Sequence, residues 1–277
     1  MSRSSWIIKI YRALFLKKSL YKFNRLLFNL SLRGLGILNF ENDRLSGEHY
    51  FLQHLASNKN HSNKLIIFDI GANIGSYSNK IKKLYPTAEI YAFEPHPKTY
   101  KRLSIEASKN NFMAFNLGCG ERSGNLKLFD YNDNLEGSQH ASVHKDVIEK
   151  IHNSASTEWE IKVITLDDFL KDMKITHVDL LKIDTEGSEL NVLQGCKKAI
   201  EDQIIDVIHF EFNEMNVVSR VFFRDFYSLL PNYAFYRMVP DGYIPIDSYN
   251  PLFCEIFAYQ NIIAINRECK LLGKFRD

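Results

Sequence analysis

Four carboxylates stand where apolar runs of this chain give out. Asp69 ends Leu65–Phe68, Glu94 ends Ala92-Phe93, Asp184 ends Lys182-Ile183, and Glu211 lies within His209-Phe210-Glu211-Phe212-Asn213. Strand, acid, tight glycine turn, then helix is how an α/β sheet builds a nucleotide-cofactor pocket at its carboxyl edge. The run Phe68-Asp69-Ile70-Gly71-Ala72-Asn73-Ile74-Gly75 has this form. A dinucleotide pyrophosphate asks for bare backbone N–H groups at a helix N-terminus. Here G-x-G-x-x-G spacing is absent, because Asn73 stands two residues after Gly71. Asp69 also adds negative charge near such a phosphate. S-adenosylmethionine has no phosphate and carries an ammonium, a sulfonium and one carboxylate, so Asp69 suits it. Gly71 and Gly75 would let the backbone approach its methionine moiety. The plain alternative is an ordinary strand-to-helix turn.

Glu94 comes 25 residues after Asp69, near the spacing of about 20 for an acid that binds ribose hydroxyls. Nicotinamide and methyl-donor enzymes share this feature; a surface acid capping the next helix is the bland reading. In Phe115-Asn116-Leu117-Gly118-Cys119-Gly120, Asn116 could bond an adenine edge, with apolar contact from Leu117 and Cys119. The segment Lys182-Ile183-Asp184-Thr185-Glu186-Gly187-Ser188-Glu189 places three acids at a strand end that opens a helix. Helix capping accounts for one or two of them. Asp184 points to the same crevice as Asp69 and Glu94. His209 and Glu211 share a face of their strand, as function or as a satisfied polar core pair. Asp184 is the leading candidate for a general base, followed by His209 and by His140 or His144. A metal bridging Asp184 and Glu211 is chemically conceivable, but no spacing requires one, and none is expected.

These side chains need a parallel sheet to hold them. Predicted strands are 64–70, 88–94, 112–117, 178–183 and 205–212, alternating with helices 74–85, 97–109, 188–200 and 217–230. Such alternation means a parallel sheet covered on both faces. A small added strand is read at 126–131, extended chain at 161–164 and a short helix at 166–173. Residues 233–239 and 254–265 could pair as a terminal antiparallel hairpin around 240–251. The polar stretch 131–160 reads as an insertion or substrate lid. Residues 5–33 read as one helix, apolar at Leu20, Phe23, Leu27 and Leu30 and basic on the other side. It either lies on an anionic membrane surface or caps the domain or a second subunit.

The chain has 277 residues, 45% hydrophobic and 25% charged, ordinary for a globular protein. The net charge of +2 gives no global field for nucleic acid. It is uneven, however. Residues 1–40 carry eight basic residues and no acid, and the remainder carries 27 basic against 33 acidic. The division expected is a basic helical extension over 1–40 and one domain over 41–277. Cys119, Cys196, Cys254 and Cys269 are scattered without a C-x-x-C pair, which speaks against zinc and suits a reducing compartment. Lys9 and Arg12 interrupt the first apolar run, so a signal peptide is not expected. No stretch reaches the about 18 uncharged apolar residues of a membrane span. A cytoplasmic location follows, with peripheral contact at the inner membrane face through 5–33 as an option.

Taken together these motifs resemble the FkbM family of S-adenosylmethionine-dependent methyltransferases. The resemblance rests on Ser46-Gly47-Glu48, the Asp69–Gly75 turn, Glu94-Pro95-His96-Pro97, Asn116-Leu117-Gly118, Thr165-Leu166-Asp167-Asp168 and the Lys182–Glu189 run, and covers about residues 40–265. It implies a Rossmann-like class I methyltransferase fold, a seven-stranded mostly parallel sheet whose last strand is antiparallel. It implies O-methylation, often of sugar hydroxyls in glycans, glycolipids or natural products. By analogy Glu48, Asp69, Gly71, Asn73, Gly75 and Glu94 would contact the cofactor, and Asp184 and Glu186 would line the methyl-transfer centre; Ala72, Pro95, Asn116 and Gly118 complete the expected cofactor set, and His209 and Glu211 the expected catalytic set. The expected partner is a saccharide or other hydroxyl-bearing acceptor, not nucleic acid. Two other readings are a nicotinamide-dependent oxidoreductase, which Asp69 and Asn73 disfavour, and a non-catalytic module docking through residues 5–33.

Overall fold

The computed structural model describes residues 3–58, 64–131, 141–151, 155–269 and 273. Its main sheet contains β1 (Ile66–Ile70), β2 (Glu89–Phe93), β3 (Met113–Phe115), β7 (Val178–Ile183), β8 (Ile205–Phe212), β9 (Tyr233–Val239), β10 (Gly242–Ile246) and β11 (Gln260–Asn266). Between them, β4 (Gly118–Cys119), β5 (Gly124–Tyr131) and β6 (Ser156–Ile164) form a second, three-stranded sheet. The main sheet runs β10-β9-β11-β8-β7-β1-β2-β3. β1, β2, β3, β7 and β8 are parallel; β11 enters antiparallel between β8 and β9. The expected doubly wound sheet and antiparallel terminal pair are present. The sheet has eight strands, not seven, because the turn-rich segment after Val239 folds back as β10 on β9.

Alternation along each central strand divides the core. Phe68, Ile70, Leu181, Ile183, Ile208 and Phe210 face one layer of helices. Ile67, Leu180 and Val207 face the other. On the first side Phe169 stands edge-on to Phe68, Tyr91, Phe93 and Phe115, with centroids 5.0–5.9 Å away. On the second side the same period that buries Ile67, Leu180 and Val207 also turns Asp69, Lys182 and His209 inward. All three are buried there.

Several boundaries differ from the sequence reading. The single helix expected over 5–33 is two, Arg3–Phe15 and Tyr21–Gly34, joined by a 3-10 turn at Lys18–Leu20. The helix Glu48–Asn58 was not anticipated. Helices expected over 188–200 and 217–230 are each broken, into Glu189–Gln194 with Lys197–Glu201 and Met215–Ser219 with Phe223–Leu229. Cys254 ends a short helix, Pro251–Cys254, ahead of the last strand. The insertion is narrower than 131–160, because β6 already begins at Ser156 and pairs along the whole of β5.

At the opposite edge of the sheet from Asp184, an ion-pair clasp joins β7 to β8. His177 Nε2 lies 3.3 Å from Asp179 Oδ1 and 3.4 Å from Asp206 Oδ2. Asp179 Oδ2 in turn accepts from the Ile66 amide at 2.7 Å, tying in β1. Hydrogen bonds to Asp179 and then Asp206 raise the His177 pKa to about 9. A folded value above the ordinary one of about 6.5 gives stability fully present below that pH and lost as pH rises through about 9. The ring is half exposed, so screening limits the effect to about 1 kcal/mol. Thermal unfolding of His177→Gln should therefore lack the decline that the parent shows between those two pH values.

Candidate functional site

The strand order reverses between β1 and β7, and such a switch point opens a crevice outside the strand ends. Gly71 follows β1 and Asp184 follows β7, side by side. Gly71 has φ +76°, and a Cβ built on it would lie 1.7 Å from the Asp184 carbonyl oxygen. Only glycine fits, for both steric and conformational reasons. Here opens a cavity of about 980 Å³, within the usual range for ligand sites.

The structure brings many of the expected residues to this cavity. Glu48, Gly71, Ala72, Asn73, Glu94, Pro95, Gly118, Asp184, Glu186 and Glu211 all line it, as do Leu117 and Cys119. Glu94 is held by the backbone: Oε2 accepts from the Asn73 amide at 3.0 Å and Oε1 from the His96 amide at 2.8 Å. Each oxygen keeps a lone pair for a further donor. Burial raises the Glu94 pKa to about 7, against those two backbone bonds. Glu48, at the start of its helix, accepts from Lys80 Nζ at 2.9 Å. Glu211 Oε2 accepts from Asn213 Nδ2 at 3.3 Å. Burial, then the neighbouring carboxylates of Asp184 and Glu186, push Glu211 well above the ordinary carboxylate range, while Lys182 opposes them.

Asp69, Gly75, Asn116 and His209 are not among the lining residues. Asp69 is fully buried beneath the cavity. Its Oδ2 accepts from Ser78 Oγ at 2.6 Å, and its Oδ1 lies 3.6 Å from Lys182 Nζ. Its charge therefore faces an ammonium of the protein. The space over Gly75 is filled by Leu103, whose Cδ1 would lie 2.9 Å from an added Cβ, so this glycine admits a helix neighbour. Asn116 directs its amide at the carbonyls of Glu94 and Pro95, both at 2.9 Å, and fastens the Glu94 loop. His209 is buried with both ring nitrogens engaged, Nδ1 to Tyr77 Oη at 3.2 Å and Nε2 to Asn261 Oδ1 at 3.1 Å. Burial lowers its pKa. His144 also lies off the lining, and burial lowers its pKa. His140 is outside the described residues. Glu189, the third acid of the Lys182–Glu189 run, accepts from the amides of Thr185 and Gly187 at 2.9 and 3.1 Å and so closes its own turn.

Lys182 is the residue that sequence reasoning missed. It is buried, lines the cavity floor, and reaches Asp184 Oδ2 at 3.1 Å as well as Asp69. Its ammonium lies 5.4 Å from the Tyr77 ring centroid. Burial works against its charge, yet Asp184, Asp69 and Glu48 together hold its pKa above the ordinary lysine value. The available signal was a lysine inside a six-residue strand that is otherwise apolar save for Asp179. Register completes the arrangement, since Asp69 pairs with Lys182 and Lys182 with His209 across three strands.

The insertion forms part of the cavity wall. Ala141 and Val143 line it, and Ser142 Oγ donates to the Glu186 carbonyl at 2.7 Å.

The family model for the methyltransferase FkbM domain matches residues 69–236, more than half of the chain. Methyltransferase sdnD of Sordaria araneosa is 31% identical over 183 residues, 57% of this chain and 70% of that protein. The 2-O-methyltransferase NoeI of Sinorhizobium fredii is 22% identical over 186 residues, 64% and 75% of the two chains. The 31-O-demethyl-FK506 methyltransferase FkbM of Streptomyces tacrolimicus is 27% identical over 165 residues, 52% and 64% of the two chains.

Proposed function

The chain belongs to the FkbM methyltransferase family, and on that premise we propose that it transfers the methyl group of S-adenosylmethionine to a hydroxyl oxygen of a saccharide or similar polyol acceptor. The observation that carries this reading is one cavity, beside the Gly71 turn, lined by Glu94, Asp184 and Glu211 from the carboxyl ends of β2, β7 and β8. Two relatives that bear oxygen-methylating names, NoeI and the FK506 methyltransferase, support the hydroxyl as acceptor. The family assignment also weighs against a nicotinamide-dependent oxidoreductase.

The residues present fit the donor. Glu94 has free acceptor capacity for two ribose hydroxyls. The left-handed Gly71 turn brings bare backbone to the cavity. Glu48 and Asp184 suit an ammonium and a sulfonium, and Lys80 and Lys182 a carboxylate. When bound, S-adenosylmethionine supplies a methyl carbon on a sulfonium leaving group. The protein's part is then positioning plus removal of one proton. Holding the acceptor oxygen in line supplies much of the rate. A sugar hydroxyl is weakly acidic, so a general base that takes its proton speeds the transfer. Asp184 is already bonded to Lys182, and Glu211 lines the same cavity with a raised pKa; we assign the base to Glu211 and the fixing of Lys182 to Asp184.

The direct test is a calorimetric titration with S-adenosylmethionine and with NAD, then a labelled-methyl screen of saccharide, lipid-linked glycan and phenol acceptors. Binding of NAD but not of S-adenosylmethionine would overturn the reading. Affinity for S-adenosylmethionine should weaken as pH falls below about 7, where Glu94 takes up a proton. In Glu94→Gln the affinity should fall roughly 10–100-fold, as befits lost charge-assisted hydrogen bonds, and that pH dependence should vanish.

A further inference from the structure

The two N-terminal helices carry a large apolar surface that the body of the protein does not cover. Trp6 is 68% exposed and Leu14 54%, with Ile7 and Ile10 between them on the same stripe. On the second helix Leu26 and Leu30 are likewise 54% and 55% exposed. Single exposed apolar side chains are normal; a contiguous patch marks a docking surface. The helices are joined to one another. Tyr11 Oη donates to Asn24 Oδ1 at 2.5 Å, Asn24 Nδ2 donates to the Phe15 carbonyl at 3.0 Å, and Phe15 stacks between Tyr11 and Phe23 at 5.0 and 5.6 Å. The surface is therefore a preformed unit.

Charge decides its partner. Residues 1–40 hold eight basic residues and no acid. A second copy would bring the same positive charge face to face with the first. An anionic lipid surface offers the opposite charge together with an apolar layer, and a basic amphipathic helix with aromatic and aliphatic residues on its other face lies in such an interface. Among the described residues no helix is long and apolar enough to cross a membrane, so the fit is to a surface.

The unit is attached at the cavity. Past Gly34 the chain packs Ile37 into the body, and the Leu38 amide donates to the Tyr259 carbonyl at 2.8 Å. Arg33 pairs with Glu41 at 2.8 Å. Next in line, Phe40 meets Tyr259 edge-on at 6.1 Å, and both line the cavity. We propose that residues 6–30 dock the protein on an anionic lipid surface, with the cavity close to that surface, so that a lipid-linked saccharide enters from it. The acceptor clause rests on the methyl-transfer reading; the docking does not.

The chain has two tryptophans, so Trp159→Phe in the full chain leaves Trp6 as the single reporter. With phosphatidylcholine vesicles containing phosphatidylglycerol, Trp6 emission should shift to the blue and the protein should sediment with the lipid. With phosphatidylcholine alone it should do neither. Combined Lys9→Glu, Arg12→Glu and Lys22→Glu should lower partitioning at least about tenfold, while circular dichroism and cofactor titration remain as in the parent. Absence of association with anionic vesicles, equal association with neutral ones, or a lipid-free dimer that buries Trp6 would each overturn the docking. Because cofactor titration is run on the same samples, failure to bind lipid leaves the methyl-transfer reading standing, and failure to bind S-adenosylmethionine leaves the docking standing.

Discussion

Replacing Glu211 by Gln is expected to lower the methyl-transfer kcat by roughly 10²–10⁴-fold, the range for loss of a general base, with S-adenosylmethionine affinity unchanged. Glu211 lines the cavity from the end of β8. Burial and the carboxylates of Asp184 and Glu186 raise its pKa. A carboxylate whose pKa is raised is, once ionised, a stronger base than an ordinary one. Gln keeps the shape and can still accept from Asn213, which now bonds Glu211 at 3.3 Å. The pH profile carries a second readout. The base works only when ionised, so kcat should rise with pH through the Glu211 pKa and then level, and this rising limb should be absent in the variant. Single-turnover rates with an acceptor from the labelled-methyl screen would measure both. Full turnover in Glu211→Gln, with a large loss in Asp184→Asn, would move the base to Asp184.

Lys182→Met is expected to remove about 3–5 kcal/mol of stability, the usual consequence of breaking a buried ion pair from one side. For a chain of this size that corresponds to a melting temperature lower by roughly 10 °C. Asp69 is the reason. It is fully buried and its other oxygen is already bonded to Ser78, so loss of the ammonium 3.6 Å away leaves a charge with no counterion. Removing that charge as well should restore part of the loss, so Lys182→Met with Asp69→Asn should melt above Lys182→Met alone. Calorimetric scans of the two single variants and the double variant form the cycle. Strict additivity would show that the two side chains do not depend on each other.

Of these two residues Glu211 is legible in the sequence and Lys182 is not. Acids at the ends of β1, β2, β7 and β8 could be read directly, because each follows an apolar run whose end marks the sheet edge. Glu94 and Asp184 were placed in a common crevice by that logic, and both line the cavity. Asn116 and His209 were read from the same positions, yet their hydrogen bonds go to the protein itself. A polar side chain at a strand end has two possible partners, ligand or neighbouring loop, and its own segment does not distinguish them. Helix breaks near Cys196 and Arg220 escaped notice because apolar spacing continues through them.

The sequence by itself determined the family, the alternating parallel sheet, the glycine turn and which strand ends bear carboxylates. All of these are local patterns of period two or of fixed spacing. Only the tertiary structure decided that Asp69 faces Lys182 and not the cavity. More than a hundred residues separate the two, and what sets them opposite each other is the register of β1 on β7. Pairing across strands depends on how distant segments dock, which no stretch of the chain encodes alone. The same docking converts the acid that first suggests a cationic cofactor into the counterion of a buried lysine, and leaves Glu48, Glu94, Asp184 and Glu211 to face the cavity.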